Sequence, residues 1–125
     1  MKCPRCAGQF ERVQHGAIMV DRCQTCKGLW FDIFEAEALK KVRGSATIDI
    51  GSIEEGQQFI KFLELTCPKC YTKMTPLADQ YDETITYQKC PVCYGAWFDA
   101  GTFTHFRNNG FFSAVKRLFV RNKER

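Results

Sequence analysis

Two stretches of the chain place apolar residues on either side of a polar turn, and each runs on into a segment with helical apolar spacing. Residues 10–13 and 18–22 flank Gln14-His15-Gly16, which predicts a β-hairpin. Residues 73–77 and 84–89 flank residues 78–83 in the same way, and Thr84-Ile85-Thr86-Tyr87 is rich in β-formers. After the first hairpin, Ile33, Phe34, Ala38, Leu39 and Val42 outline the apolar side of a helix that Gly44 stops. Asp32 stands at its N-cap with Glu35 three residues on, the spacing of a capping box. After the second hairpin Asp99 takes the cap position, and Phe103 and Phe106 supply the apolar side of a helix ending near Asn108. Both aspartates are read as helix caps rather than catalytic acids.

The segment between these units has structure of its own. Residues 47–50 predict a short strand, and Ser52-Ile53-Glu54-Glu55 is a second capping-box spacing that opens a helix to about residue 63. It is not a Gly/Ser tether, so the two units form one body rather than two beads. At the C-terminus, positions 111, 112, 115, 118 and 119 share one helical face. Lys116, Arg117 and Arg121 lie on the other, with Lys123 and Arg125 beyond. Such a helix either docks on the body or stays free for a partner. Lys116, Arg117, Arg121 and Lys123 are the candidate partner or nucleic-acid contacts. The expected fold is a small, metal-stabilised α+β protein. Residues 1–44 hold the first hairpin and helix, 45–66 the connector, 67–110 the second hairpin and helix, and 111–125 the basic amphipathic helix.

The metal enters through the cysteines. All eight fall into Cys-x-x-Cys pairs: Cys3/Cys6, Cys23/Cys26, Cys67/Cys70 and Cys90/Cys93. Two cysteines so spaced turn their sulfurs toward a common point, as a tetrahedral zinc site requires. A thioredoxin-type dithiol sits beside a βαβ pattern, which is absent from this sequence, and redox chemistry has no use for four pairs. The first cysteine follows Met1-Lys2 at once, which leaves no room for a signal peptide and points to a reducing cytoplasm.

The pairs also reveal an internal repeat. From the third cysteine of each unit the offset is 67: Cys23 maps to Cys90, Gly28 to Gly95, Trp30 to Trp97 and Asp32 to Asp99. The first pairs differ by 64, so the second hairpin carries three extra residues. The repeat favours one zinc ion per copy over a cross-braced arrangement, since each copy holds a complete set of four thiols. Four thiolates close the shell and leave no position for water, so the sites are structural and His15 and His105 are not needed as ligands. Trp30, Phe31, Trp97 and Phe98 are read as core residues packed against the zinc knuckles.

Charge narrows the partners. The formal +4 counts cysteines as neutral thiols, and eight thiolates on two zinc ions bring the whole chain to zero. Bulk attraction to phosphate is therefore weak. Residues 111–125 carry five basic groups and one acidic, and residues 45–66 one basic and four acidic. These complementary regions can pair within the molecule or between two copies, so a homodimer stays open. No run approaches the roughly 18 apolar residues of a membrane span. No nucleophile–base signature or phosphate loop is present, and enzymatic activity is not expected.

The strings Cys3-Pro4-x-Cys6 … Asp21-Arg22-Cys23-x-x-Cys26-x-Gly28-x-Trp30-Phe31-Asp32-x-x-Glu35 resemble the transcription factor IIB-type zinc ribbon family, widespread in bacteria. The likeness spans about residues 1–43 and again about 67–106. It implies zinc ligation by all eight cysteines, a bacterial cytoplasmic protein and nothing catalytic. The second copy departs from the pattern, with Gly101-Thr102 where the first has Phe34-Glu35, which removes its capping box. Two functions follow: a protein-interaction or assembly module, and alternatively a nucleic-acid-binding regulator using the basic C-terminal helix.

Overall fold

A computed structural model describes residues 1–62 and 64–108. The predicted C-terminal helix, with Lys116, Arg117, Arg121 and Lys123, lies outside the described residues.

The first hairpin pairs β1 (Phe10–His15) with β2 (Ile18–Cys23) in antiparallel register. The second pairs β4 (Thr75–Ala78) with β5 (Thr86–Lys89). Each is joined by a short strand built from the Gly-x-Trp-Phe motif, β3 (Leu29–Phe31) and β6 (Ala96–Phe98). These two strands pair with each other, so one six-stranded antiparallel sheet runs β1-β2-β3-β6-β5-β4 through both repeats. The register is Leu29 to Phe98, Trp30 to Trp97 and Phe31 to Ala96. Under the repeat offset the outer two pairs exchange and the middle pair maps onto itself. The repeats are thus related by a local two-fold through the Trp30–Trp97 pair.

Strand alternation sorts the aromatic residues onto two faces. Leu29, Phe31, Ala96 and Phe98 point toward the helices and join Ala36, Leu39, Phe103 and Phe106 in one buried cluster. Trp30 and Trp97 point the other way, among the cysteines, Leu65 and Met74. The centre of the sheet is therefore covered on both faces, which explains why β3 and β6 are buried at every position while the edge strand β4 is exposed throughout. Of the four aromatic residues assigned to the knuckles, only the tryptophans pack there. Phe31 and Phe98 meet edge-on at 5.4 Å on the helical side.

The helices are shorter than their patterns. Helix α1 spans Glu35–Lys40, α2 Ile53–Gln57 and α3 Thr102–Asn108. Ile33 and Phe34 do not belong to the apolar face of α1. Phe34 sits in the left-handed region at φ 68°, 70% exposed, and Ile33 is 43% exposed. The connector also departs from expectation: Ser45–Ile48 forms a 3-10 turn rather than a strand. The capping box at Ser52 and Glu55 is present in both halves, but α2 ends at Gln57, well before residue 63.

Candidate metal centres and the seam between repeats

Each of the four Cys-x-x-Cys pairs folds as the same knuckle. The amide after its second cysteine (Ala7, Lys27, Tyr71 or Tyr94) donates to the first cysteine's carbonyl, and all four of these residues have positive φ. Further amides aim at sulfur: Arg5 N–H at Cys3 Sγ, 3.3 Å; Cys26 N–H at Cys23 Sγ, 3.4 Å; Cys70 N–H at Cys67 Sγ, 3.3 Å; and Val92 N–H at Cys90 Sγ, 3.4 Å. Amides pointed at sulfur stabilise thiolate over thiol.

The knuckles meet in pairs within each repeat, with no cross-bracing. Cys3, Cys6, Cys23 and Cys26 form one cluster and Cys67, Cys70, Cys90 and Cys93 the other, with all sulfurs of a cluster within 4.8 Å of one another. Sγ–Sγ distances are 3.6 Å for Cys3–Cys26, 3.5 Å for Cys6–Cys23 and 3.8 Å for Cys67–Cys93. A tetrahedral zinc with Zn–S near 2.3 Å sets its sulfurs about 3.8 Å apart, whereas a disulfide needs about 2.05 Å. None of the eight is disulfide-bonded.

The thiols themselves call for a cation. The Cys3 thiol's hydrogen bond, first among several, pulls Cys26 down to about 6, while that bond and burial push Cys3 up. Burial, then the neighbouring thiols, raises Cys70 to about 12, and burial raises Cys6 to about 11. Cys90 drops to about 6 because hydrogen bonds from Thr72 and from the Cys93 and Val92 amides outweigh its burial. A divalent ion is what makes four thiolates stable together.

The residues around the sulfurs act between repeats, which their spacing did not reveal. Arg5 lies between two ligands of the first site. Its guanidinium donates twice to the Asp99 carboxylate of repeat two, at 2.8 Å each, and once to the Phe62 carbonyl at 2.7 Å. Lys69, between two ligands of the second site, pairs with Asp32 of repeat one. Each aspartate also accepts the indole N–H two residues before it: Trp30 to Asp32 at 3.3 Å and Trp97 to Asp99 at 3.0 Å.

This corrects the capping assignment. The Glu35 carboxylate does accept from the Asp32 amide at 2.7 Å, but no side chain caps α1. Asp32 and Asp99 instead anchor the knuckle of the opposite repeat. The motif's glycine has a matching purpose: a Cβ on Gly28 would lie 2.2 Å from Trp97 Cζ2, and one on Gly95 would lie 2.2 Å from Trp30 Cζ2. Each tryptophan therefore rests on the other repeat's bare backbone.

The start of α3, which lacks a capping glutamate, is capped from the connector. The Asp49 carboxylate accepts from the Gly101 and Thr104 amides, both 2.9 Å, and from the Thr104 hydroxyl, 3.0 Å. Burial pushes Asp49 above the usual carboxylate range, against the pull of these bonds.

Two four-sulfur clusters on paired knuckles, each closing one hairpin of a shared sheet, define a tandem zinc ribbon, and the chain holds two zinc ions. The family described as transcription factor zinc-finger, the TFIIB-type zinc ribbon, matches residues 2–42 and 66–107, and the protein belongs to it. No curated protein and no solved structure matches the chain. Among the described residues no helix is long and apolar enough to cross a membrane.

Proposed function

We infer that this protein is a non-catalytic interaction module that docks a protein partner through the knuckles of its second zinc site. The supporting observation is a difference between equivalent positions. Around the first site they hold Ala7, Thr25 and Lys27; around the second, Tyr71, Val92 and Tyr94, exposed by 80%, 60% and 52%. Tyr71 and Tyr94 both occupy left-handed backbone at φ 60°. Tyrosine in that conformation costs about 1 kcal/mol, and here it leaves half or more of each residue in solvent, which suits a contact surface. Closed thiolate shells give the metals no reactive position. The unpaired thiols, kept for metal, suit a reducing cytoplasm.

Charge favours protein over nucleic acid. The formal charge of the described residues is zero with neutral thiols, since all of the +4 resides in residues 109–125. With two zinc tetrathiolates the folded body carries −4. The partner surface that fits is apolar at its centre with basic groups at its rim. The test is affinity capture with zinc-loaded wild type and with Tyr71→Ser/Val92→Ser/Tyr94→Ser. A specific protein partner lost with the triple variant is expected. Tight, salt-sensitive binding of nucleic acid that drops when Lys116, Arg117 and Arg121 are neutralised would establish the alternative instead.

A further inference from the structure

The sheet ends at two equivalent strands, β1 and β4, and only one of them is closed. In β4 the Asp79 amide donates to the Ile85 carbonyl at 2.8 Å, so Thr75 and Leu77 bond toward β5 while Pro76 and Ala78 turn their backbone outward. Pro76 has no N–H to offer, and the next outward amide, that of Met74, is taken by the Leu65 carbonyl at 2.8 Å. Proline at such a position blunts a sheet edge against further pairing. In β1 the Gln24 amide donates to the Gln9 carbonyl at 2.9 Å, which sets Glu11, Val13 and His15 toward β2 and turns Arg12 and Gln14 outward. Arg12 stands where repeat two has Pro76, and Gln14 where it has Ala78, so each keeps both an N–H and a C=O on the edge. No described residue bonds to these outward groups, and both side chains are exposed.

We propose that the β1 edge pairs antiparallel with β1 of a second copy of this chain, joining two six-stranded sheets into one about a two-fold axis at Val13. Backbone and charge together select this register. Outward residues must meet outward residues, which leaves only pairings centred on one residue of each strand. Centred on Arg12, the pairing opposes two guanidiniums, and centred on Glu11 it opposes two carboxylates. Centred on Val13, Arg12 faces Gln14 of the second copy, Glu11 faces its His15, and Val13 meets Val13, so no like charges oppose one another. Each Arg12–Gln14 pair then exchanges both of its N–H···O bonds.

Two further features favour a second copy as the occupant. The zinc-loaded chain is formally neutral, so net charge does not oppose the approach of an identical molecule. The strand is also self-complementary in sequence, as an isologous contact requires, and no other strand has to be exposed to meet it. Tyr71, Val92 and Tyr94 belong to repeat two, at the opposite end of the strand order, so the pairing does not use them.

The experiment follows the full-length, zinc-loaded chain by sedimentation equilibrium over a dilution series, with amide exchange read by NMR on the same samples. A monomer–dimer equilibrium is expected, with the Arg12 and Gln14 amides exchanging more slowly as concentration rises. Arg12→Pro copies the closed edge of repeat two, where the equivalent strand position accepts proline, and should weaken association by about tenfold or more. Gln14 is exposed and tests the register without touching the core. Gln14→Arg sets guanidiniums face to face and should weaken association by about threefold or more, whereas Gln14→Glu should tighten it by a similar factor. If Arg12→Pro fails to fold, the opposite signs of the two Gln14 variants decide. A monomer at every concentration, Arg12 and Gln14 amides already protected in the dilute monomer, a folded Arg12→Pro that associates as wild type does, or Gln14 variants that do not move association in opposite directions each overturns the proposal. So does a dimer that survives Arg12→Pro and is lost in Tyr71→Ser/Val92→Ser/Tyr94→Ser, since its interface is then at the second zinc site.

Discussion

In repeat one the residue before the helix is Phe34, left-handed at φ 68° with its ring in solvent; in repeat two it is Gly101, at φ 80° with the connector against it. One helix start is served locally, by Glu35, and the other from 52 residues away, by Asp49. The knuckles diverge too. The strut from repeat one, Arg5 to Asp99, is bidentate with only 4% of the arginine side chain exposed. The strut from repeat two, Lys69 to Asp32, is nearly half exposed at both ends. Against this, the sulfur clusters and the Gly–Trp contacts are the same in both copies. Symmetry is kept where zinc and the seam depend on it and relaxed at the rim, where each copy meets different surroundings.

Several perturbations bear on that contrast. The largest effect comes from the metal. Structural zinc is worth roughly 10–16 kcal/mol per site at neutral pH, so chelation should abolish the dispersed amide spectrum of both repeats. Because the seam is shared, Cys67→Ser/Cys70→Ser should bring bound zinc below one ion per chain. A value of one, with repeat one intact, would show that the seam does not link the sites. Acid acts with the same sign: metal holds the thiols' folded pKa low, so stability is present at neutral pH and lost as pH falls.

Next come the seam glycines. Gly28→Ala and Gly95→Ala each force a methyl into an indole, and each should cost about 2–3 kcal/mol in denaturant unfolding. Unequal losses would mean that the two-fold is only approximate there. The struts should separate the copies. Arg5→Ala leaves Asp99 short of its main partner and should cost roughly 2–4 kcal/mol, whereas Lys69→Ala should cost under about 1 kcal/mol. Between these falls Asp49→Ala, expected to destabilise by about 1–2 kcal/mol, with amide exchange rising first at Gly101 and Thr104.

The sequence made the eight ligands, both hairpins and the repeat legible because these are local: a two-residue spacing, a turn, a period. What it hid acts across the local two-fold. Asp32 has the spacing of a cap, and Glu35 does bond back to it, yet its carboxylate serves Trp30 and Lys69. Residues 47–50 carry β-forming side chains, but Ile48 is drawn into the core beneath α3 and Asp49 into capping that helix, and a 3-10 turn accommodates both. Phe34 fitted an apolar helical period, while its left-handed backbone turns it away from the core. The Gly-x-Trp-Phe-Asp string was visible as a repeat, but that each glycine belongs to the other copy's tryptophan could be learned only from the pairing of β3 with β6.

That pairing carries a consequence for assembly. A single repeat would end in an unpaired β3 edge with its tryptophan uncovered, and could complete itself only by meeting a second molecule. Joining both halves through one connector turns that encounter into a unimolecular closure, with an effective concentration in the millimolar range for a short tether. The finished sheet therefore does not come apart on dilution, as a dimer of single repeats would. Its two halves are also free to drift apart in sequence, because neither has to recognise an identical twin.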